Sequence, residues 1–210
     1  MSSPTSVIKL CTQCNLYKYQ PPLIDSYKTA DVMWVGLSAK IMGDYINSIP
    51  LDISTATGEL IHEVEKCFTG VSFYKSNLVK CAPLNNEGKL RYPTEKEIDI
   101  CFRNLLTEIE LVCPHVIFLL GKQVSDSVSR YYSVPFSKVT LYNTPSYKIN
   151  NIVFIPVFHP SYINSYKKAN RGKYIDSLKQ LITRELCIPY SSLINQNEND
   201  MQQISFFDNL

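Results

Sequence analysis

The chain has 210 residues, 45% of them hydrophobic, and a formal net charge of +2 at pH 7. Its length allows one domain with a sizeable core. The small net charge excludes a global basic field, so any nucleic acid must be held by a local patch. No run is long and apolar enough to cross a bilayer, and the start MSSPTSVIKL lacks the apolar stretch of a signal peptide. We therefore expect a cytoplasmic monomer without a membrane partner.

Buried-strand patterns and helical periodicity alternate along the chain. The predicted elements are strands over 31–37, 72–81, 115–121 and 151–161, and helices over 55–68, 93–112, 122–132 and 165–186. The clearest helix follows Pro93 and begins with a capping box of Thr94 and Glu97. The alternation predicts an α/β fold: a single domain over 1–190 with a central, mostly parallel four-stranded sheet flanked by helices.

Residues 191–210 differ from this pattern. The stretch SSLINQNENDMQQ has too little apolar content to pack, which predicts a flexible tail. The tail continues into QISFF, which resembles the pentapeptide that binds the bacterial sliding clamp; an ordinary apolar tail end is the alternative. The resemblance implies a glutamine anchor and apolar plugs on a tether, formed by Gln203, Ile204, Phe206 and Phe207.

The seven cysteines are an odd number, which argues against a complete disulfide framework and favours a metal or catalytic role. Cys11 and Cys14 form a C-x-x-C pair, and Cys81 with Cys101 could complete a four-thiolate site. Four thiolates suit either tetrahedral zinc or an iron–sulfur cluster, and spacing alone leaves both open. The remaining cysteines have apolar neighbours, so we expect core or incidental positions for Cys67, Cys113 and Cys187.

Candidate polar residues stand at the ends of three predicted strands. They occur from Gly36 onward, over Asn77–Cys81 and over Phe158–Ser161. Ligands bind at the carboxyl ends of strands in α/β sheets, so we expect these three segments to meet in one cleft.

Five motifs, in order, resemble the uracil-DNA glycosylase superfamily, most closely its iron–sulfur branch, families 4 and 5. They are CTQCNLYK, NLVKCAPL, RYPTEKEIDIC, PHVIFLLGKQVSDSV and VFHPSYI, and the resemblance covers roughly residues 11–186. It implies a monofunctional DNA glycosylase that hydrolyses the N-glycosidic bond of a flipped, uracil-like or modified base and leaves an abasic site. It also implies a [4Fe-4S] cluster, in preference to zinc, held by Cys11, Cys14, Cys81 and Cys101.

The resemblance assigns roles at two strand ends. His159 would donate to the base carbonyl as negative charge develops, and Asn77 would pair with the Watson–Crick edge of the base. Ser161 would brace the phosphate backbone. Tyr162 and Ile163 are candidates for the wedge that fills the vacated base stack, with simple packing as the alternative.

The first motif departs from the family pattern. Leu37 stands where family 4 has the glutamate that positions water, although family 5 also has leucine there. Leu51 replaces the phenylalanine that stacks on the base, so we expect Tyr45 to stack instead. Asp44 is the first candidate for activating water, and Asp52 is the second. The expected substrate pocket consists of Gly36, Leu37, Tyr45, Leu51, Asn77 and Ser161, and its changes predict weak uracil activity or another base.

A basic run, YKKANRGKY, follows the His-Pro-Ser motif. A solvated helix start is the alternative, but beside a base-flipping site the run is expected to hold DNA phosphates. The residues assigned to this contact are Lys167, Lys168, Arg171 and Lys173.

Two other functions compete with a glycosylase. The altered first motif would also suit a non-catalytic protein that binds DNA or a base in a degenerate pocket. A zinc-stabilised nucleic-acid module unrelated to glycosylases is the other candidate. The biological setting of the glycosylase could be base-excision repair or defence against modified foreign DNA.

Overall fold

The structure is a computed structural model that describes residues 4–140 and 144–189, with side chains from residue 7 onward. The strands are β1 Val32–Ser38, β2 Phe73–Val79, β3 Val116–Leu120, β4 Tyr147–Ile149 and β5 Ile152–Val157. The helices are α1 Pro4–Lys9, α2 Ala56–Glu65, α3 Glu95–Val112, α4 Lys122–Tyr132, α5 Pro160–Tyr166 and α6 Arg171–Glu185. Short 3-10 helices cover Asn15–Lys18 and Lys168–Asn170.

The described strands form a single sheet in the order β2-β1-β3-β5-β4. Strands β2, β1, β3 and β5 are parallel, and β4 pairs antiparallel with β5 at one edge. The predicted mostly parallel sheet is confirmed, but it has five strands rather than four. Strand β4 spans three residues, which is too short to produce an alternating pattern in the sequence. It reaches β5 through a tight turn at Asn150, whose φ is 54°.

Helix α3 begins as predicted. The Thr94 side chain accepts from the backbone N–H of Glu97, and the Glu97 carboxylate accepts from the backbone N–H of Thr94. The apolar stripe of this helix is buried, and consists of Ile98, Phe102, Leu105 and Ile109. A left-handed Cys113, with φ of 51°, ends the helix.

The predicted helix over 165–186 is wrong in its start. Helix α5 begins earlier, at Pro160, because the His159 side chain caps it and proline fits the first helical position. At Lys167 the backbone leaves the helical region (φ −133°, ψ 34°), so α6 starts separately at Arg171. The His-Pro-Ser motif is therefore a strand-to-helix junction.

The sheet has an apolar layer on each face. One layer packs α3 and α4 against Met33, Val35 and Ile117, and the other packs α2 and α6 against Trp34 and Phe118. All five residues of β3 are buried, as expected for a central parallel strand. Within the described residues, every helix is too short or too polar to span a membrane.

Candidate active site

A cavity of about 340 Å³ opens at the carboxyl ends of β1, β2 and β5. The three strand ends meet there, as expected from the sequence. Leu37 comes from β1, Asn77 from β2 and His159 from the junction after β5. The loops add further lining residues, which include Lys40, Leu51, Asp52, Leu90, Arg91 and Tyr92. The volume lies at the lower end of the range of small-ligand pockets in proteins.

Asn77 sits deep in this cavity, with 2% of its surface exposed. It is paired in register with Gly36 on β1. A Cβ atom at position 36 would lie 2.4 Å from Asn77 Oδ1 and 3.0 Å from Leu51 Cδ2. Glycine at position 36 therefore leaves the space that the Asn77 amide occupies. Any larger residue there would displace this amide.

His159 lines the cavity as a neutral hydrogen-bond donor. Burial, helped by the positive charge of Lys40, lowers the pKa of His159 from 6.5 to about 4. Its Nδ1 accepts from the backbone N–H of Ser161 at 3.2 Å, and the Ser161 hydroxyl lies 2.7 Å from the same nitrogen. An imidazole that accepts at Nδ1 carries its proton at Nε2. The Ser161 contacts thus select the tautomer with an Nε2–H donor.

Gly121 lies against the His159 side chain. It precedes α4 with φ of 95°, a conformation that L side chains rarely adopt. A Cβ atom there would lie 3.1 Å from His159 Cβ. Its backbone N–H also donates to Val157 O, in the strand that leads to the histidine. Gly121, in the sequence Leu120-Gly121-Lys122, therefore helps to position His159.

The two candidate carboxylates occupy different places. Asp44 is fully exposed and outside the cavity lining, where it accepts hydrogen bonds from the Asn47 backbone and side chain. Asp52 lines the cavity, and its Oδ1 accepts from the Ser54 backbone and hydroxyl. These hydrogen bonds lower the pKa of Asp52 and keep it ionised at neutral pH. The structure favours Asp52, the second choice, over Asp44 because only Asp52 faces the cavity.

The predicted aromatic substitute in the first motif also lies elsewhere. Tyr45 is exposed and does not line the cavity. Leu37 and Leu51 do line it, so this part of the wall is aliphatic. Leu51 adopts the left-handed region with φ of 52°, which is strained for a leucine and marks a tightly constrained turn.

One wall of the cavity was missed by sequence reasoning. The chain folds back between Leu84 and Leu90, which form an isolated antiparallel bridge. Arg91 then makes a two-pronged contact with the Glu97 carboxylate, at 2.8 and 2.6 Å. This contact holds Leu90 and Tyr92 at the cavity. Its signal in the sequence is the long segment between Cys81 and Cys101, two of the predicted thiol ligands.

The four predicted thiol ligands lie in one region, at the side of the domain where the N-terminal segment meets α3. Burial, reinforced by Cys101, Cys14 and Cys11, raises the pKa of the Cys81 thiol. The Asn104 side-chain amide lies 3.6 Å from Cys11 Sγ and 3.7 Å from Cys101 Sγ. The Lys80 backbone N–H points at Cys101 Sγ, 3.4 Å away. Four neighbouring thiols, two of them with amide donors, form a donor set that suits a cationic metal group.

Two metal groups take four thiolate ligands. Within 4–140 and 144–189, no three His, Cys, Asp or Glu side chains converge closely enough to hold a metal ion. A tetrahedral zinc ion requires four sulfurs at about 2.3 Å from one point. A four-iron cluster takes one thiolate on each iron and so keeps the sulfurs farther apart. The four cysteines offer the thiolates that either group requires.

A buried ion pair joins the thiol region to the cavity. Lys80 and Glu108 contact each other with no exposure on either side chain. Lys80 Nζ also donates to Asn77 O at 2.5 Å and Ser76 Oγ at 2.7 Å, and Glu108 accepts from Tyr74 and Ser76. The network fixes the end of β2, which carries Asn77 and leads directly into Lys80 and Cys81.

The residues expected to touch DNA separate into buried and exposed ones. Ile163 is completely buried in the core beneath α5, so it packs and cannot serve as a wedge in this structure. Tyr162 and Ser161 precede it on the exposed side of the same helix. A step of one residue turns a helix by about 100°, which explains why neighbours face opposite ways.

Three of the four basic residues are exposed, and one is engaged by another helix. Lys167, Lys168 and Lys173 are exposed. Arg171 contacts the Glu63 carboxylate of α2 at 2.6 Å. The clamp-like pentapeptide, over 203–207, lies outside the described residues.

Comparison with known proteins gives the same family. The model of the uracil DNA glycosylase superfamily matches residues 20–182. Three curated relatives are type-4 uracil-DNA glycosylases. The Thermotoga maritima protein is 29% identical over 74% of this chain and 79% of its own length. The Sulfurisphaera tokodaii protein is 27% identical over 72% of this chain and 70% of its own length. The Archaeoglobus fulgidus protein is 24% identical over 86% of this chain and 89% of its own length.

A solved structure of Pedobacter heparinus SMUG2 shares the fold. It aligns with a TM-score of 0.52 over 75% of this chain and 76% of that chain, at 16% identity. The family model covers well over half of the chain, from before β1 into α6. The chain therefore belongs to the uracil DNA glycosylase superfamily.

Proposed function

We propose that the protein is a monofunctional DNA glycosylase that removes a flipped, uracil-like or modified base and leaves an abasic site. The observation that carries this proposal is the pairing of His159 and Asn77 in one cavity. A neutral imidazole donor and a buried amide are the groups needed to hold a pyrimidine-like base and to stabilise its departure. Membership of the family and the names of the type-4 relatives support the same activity.

Electrostatic stabilisation of the leaving base is the main chemical contribution. As the N-glycosidic bond breaks, negative charge develops on the base while the sugar becomes oxocarbenium-like. His159 Nε2–H donates to a carbonyl of the departing base, and its low pKa keeps it a neutral donor without transferring a net proton. Lys40, which also lines the cavity, adds positive potential at the same place.

Asp52 activates or orients the water that attacks the sugar. It faces the cavity, and the Ser54 hydrogen bonds that lower its pKa hold it as a carboxylate. Matched Asp52→Asn and Asp44→Asn variants test this assignment. We expect the first to lose on the order of 100-fold in excision rate and the second to retain the rate of the unmodified protein. Equal excision rates in the two variants would exclude Asp52 as the residue that activates or orients the water.

The substrate base is predicted to differ from plain uracil. Leu51 stands where the family pattern has a stacking phenylalanine, and Leu37 supplies no carboxylate. Leu37 and Leu51 form an aliphatic wall, and Asn77 supplies a buried amide beside Gly36. A pocket of this composition accommodates a deaminated purine or a modified pyrimidine. A screen of deaminated and modified bases in DNA tests this, and a rate on uracil above all other bases would contradict it.

A [4Fe-4S] cluster is the metal group that we propose for Cys11, Cys14, Cys81 and Cys101. The amide donors of Asn104 and Lys80 beside the thiols, and the resemblance to the iron–sulfur branch with its type-4 relatives, support it. When bound, the cluster ties the N-terminal segment to α3. The purified protein should be brown, with a visible absorption band that disappears after a Cys101→Ser exchange. A colourless protein with one bound zinc would contradict the assignment.

DNA would be held next to the cavity by α5 and the lysines after it. Tyr162 is the candidate wedge, and Ser161 would orient His159 while lying close to the backbone of the flipped nucleotide. Lys167, Lys168 and Lys173 would contact phosphates. Arg171 contributes less because Glu63 already neutralises it.

A non-catalytic binding protein is the second candidate function. The observation that favours it is Leu37 at the position where the family has a water-positioning glutamate. Such a protein would bind a damaged base without releasing it. Base release from damaged oligonucleotides, measured beside binding of the same oligonucleotides, separates the two functions.

The cellular setting and further partners are proposals from the sequence. We propose a cytoplasmic monomer that acts in repair or in defence against modified DNA. We also propose that Gln203, Ile204, Phe206 and Phe207 bind the bacterial sliding clamp. Deletion of 203–210 should abolish clamp binding and leave base excision unchanged, and clamp binding that survives the deletion would refute the motif.

A further inference from the structure

Three aromatic rings form a continuous row beside the cavity. The Phe158 and Tyr162 rings are 5.5 Å apart and inclined by 23°, and the Tyr162 and Tyr166 rings are also 5.5 Å apart, inclined by 35°. The row starts next to His159 and runs along α5 away from the cavity. Phe158 packs against the core at its inner end.

The outer part of this aromatic row has no partner in the core. Tyr162 is 38% exposed and Tyr166 is 76% exposed. The helix beneath them is firmly placed, because the Asn164 side chain donates to Ala56 O at the start of α2 and Ile163 is buried. A large ring held in water on a rigid helix is available for stacking with a ligand.

The charge around the row favours a polyanion. Lys167, Lys168 and Lys173 follow directly in the chain and are exposed. In the part of the chain that the structure describes, none of the three has a carboxylate within ion-pair distance. Exposed aromatic rings beside free cations are the usual composition of surfaces that bind single-stranded nucleic acid.

We infer that Tyr162 and Tyr166 form a stacking platform for unpaired bases next to the flipped nucleotide. The preferred substrate is therefore single-stranded or locally unpaired DNA. This inference rests on the proposed glycosylase function for the identity of the site. In a duplex each neighbouring base is already stacked between base pairs and offers no free face to Tyr166, whereas in a single strand every base has one.

Binding of undamaged oligonucleotides tests the platform without requiring catalysis. The variants are Tyr166→Ala, Tyr166→Phe and, as a matched control, Tyr27→Ala, which removes a tyrosine of 56% exposure in the segment before β1. Dissociation constants for a single strand and the corresponding duplex are measured by fluorescence anisotropy at several salt concentrations.

We expect Tyr166→Ala to weaken single-strand binding about 10-fold, the loss of one base–aromatic stack, and to leave duplex binding unchanged. Tyr166→Phe keeps the ring and should retain the affinity, and Tyr27→Ala should have no effect. An equal loss on both forms of DNA, or no loss, would overturn the platform. This binding test uses DNA without a damaged base. If the protein releases no base from damaged DNA in a separate assay, the proposed function is refuted and the binding result still tests the platform.

A phosphate-contacting lysine provides the contrast. Lys168→Ala should weaken single-strand and duplex binding alike and reduce the salt dependence of both, because it removes a contact that carries no information on base pairing. If Tyr166→Ala shows this same uniform loss and altered salt dependence, the row acts through packing of the lysines and the platform is wrong.

Discussion

The two segments that lead into the cavity satisfy their polar groups in opposite ways. Residues 77–81 at the end of β2 are buried, and their partners come from distant parts of the chain, such as Glu108 and Cys101. The loop over 40–48 is largely exposed, and Asp44 is bonded to Asn47 and Ser48 only a few residues away. Long-range contacts fix the position of residues 77–81. The local hydrogen bonds of the loop over 40–48 do not fix its position, which depends on contacts with other parts of the chain.

One such contact is made by a buried side chain outside the cavity. Gln20 donates to Lys40 O and accepts from the Met42 backbone N–H, both at 2.9 Å. Gln20 is nearly fully buried and follows the C-x-x-C pair after the short helix Asn15–Lys18. The thiol region therefore reaches the cavity by two routes, through Gln20 to the loop and through Lys80 to Asn77.

The largest effect is expected from breaking the Lys80–Glu108 pair. Glu108→Ala leaves Lys80 charged and unpaired in the interior, which should lower the free energy of unfolding by about 3–5 kcal/mol, measured by denaturant unfolding. Glu87→Ala, in an exposed pair with Lys89, should change it by about 0–1 kcal/mol.

A double variant keeps this prediction interpretable if the single variant does not fold. Lys80→Met with Glu108→Leu removes both charges and should recover most of the lost stability. A Glu108→Ala protein as stable as Glu87→Ala would contradict the importance of the buried network.

The same contrast applies to activity at two asparagines. Asn77→Ala removes the buried amide from the cavity and should lower the rate of base excision on the order of 100-fold. Asn47→Ala alters the exposed loop, where the side chain donates to the Asp44 carboxylate outside the cavity, and should leave the rate unchanged. Similar rates for the two variants would place the recognition of the base elsewhere.

A smaller effect is expected from loosening the loop. Gln20→Leu removes two hydrogen bonds worth about 1 kcal/mol each and should raise KM several-fold with little change in kcat. Gln123→Leu, an exposed glutamine of α4, is the control. A fall in kcat with unchanged KM would show that Gln20 affects the chemical step rather than the shape of the binding site.

The smallest predicted effect concerns pH. Because burial lowers the pKa of His159 to about 4, the folded protein keeps a neutral donor as the pH falls through 6.5. Excision should therefore stay constant from pH 7 to 5. In the unfolded chain the imidazole takes up its proton near 6.5, so stability should fall between pH 6.5 and 4.

His159→Gln is the variant that isolates this contribution. It should remove part of the decline of Tm between pH 6.5 and 4. Identical Tm profiles for the two proteins, or a drop in excision near pH 6.5, would mean that the imidazole titrates normally.

The fold and the deepest site residues were predictable because regular elements fix them. His159 and Asn77 stand at ends of apolar strands, and parallel strands bring such ends to one edge of a sheet. Periodicity also gave α3 and its capping box. The same pattern could not give β4, whose three residues are too few to show alternation.

The errors fall where distant contacts decide the position. Asp44 and Tyr45 were placed in the pocket from a loop motif, but the hydrogen bonds of Gln20 direct that loop from outside the motif. The cavity wall at Tyr92 depends on the Arg91–Glu97 contact. Ile163, a predicted wedge, turns into the core because α5 starts at Pro160.

The most direct test of the glycosylase is base release by the full-length protein. Oligonucleotides carrying uracil, hypoxanthine, xanthine or a modified cytosine, single-stranded and in duplex, are incubated with the protein and with His159→Ala, then treated with alkali. We predict strand cleavage at one of these bases and free base in solution, both lost in the variant. Tight binding with no base released from any substrate would contradict a glycosylase and favour the binding protein.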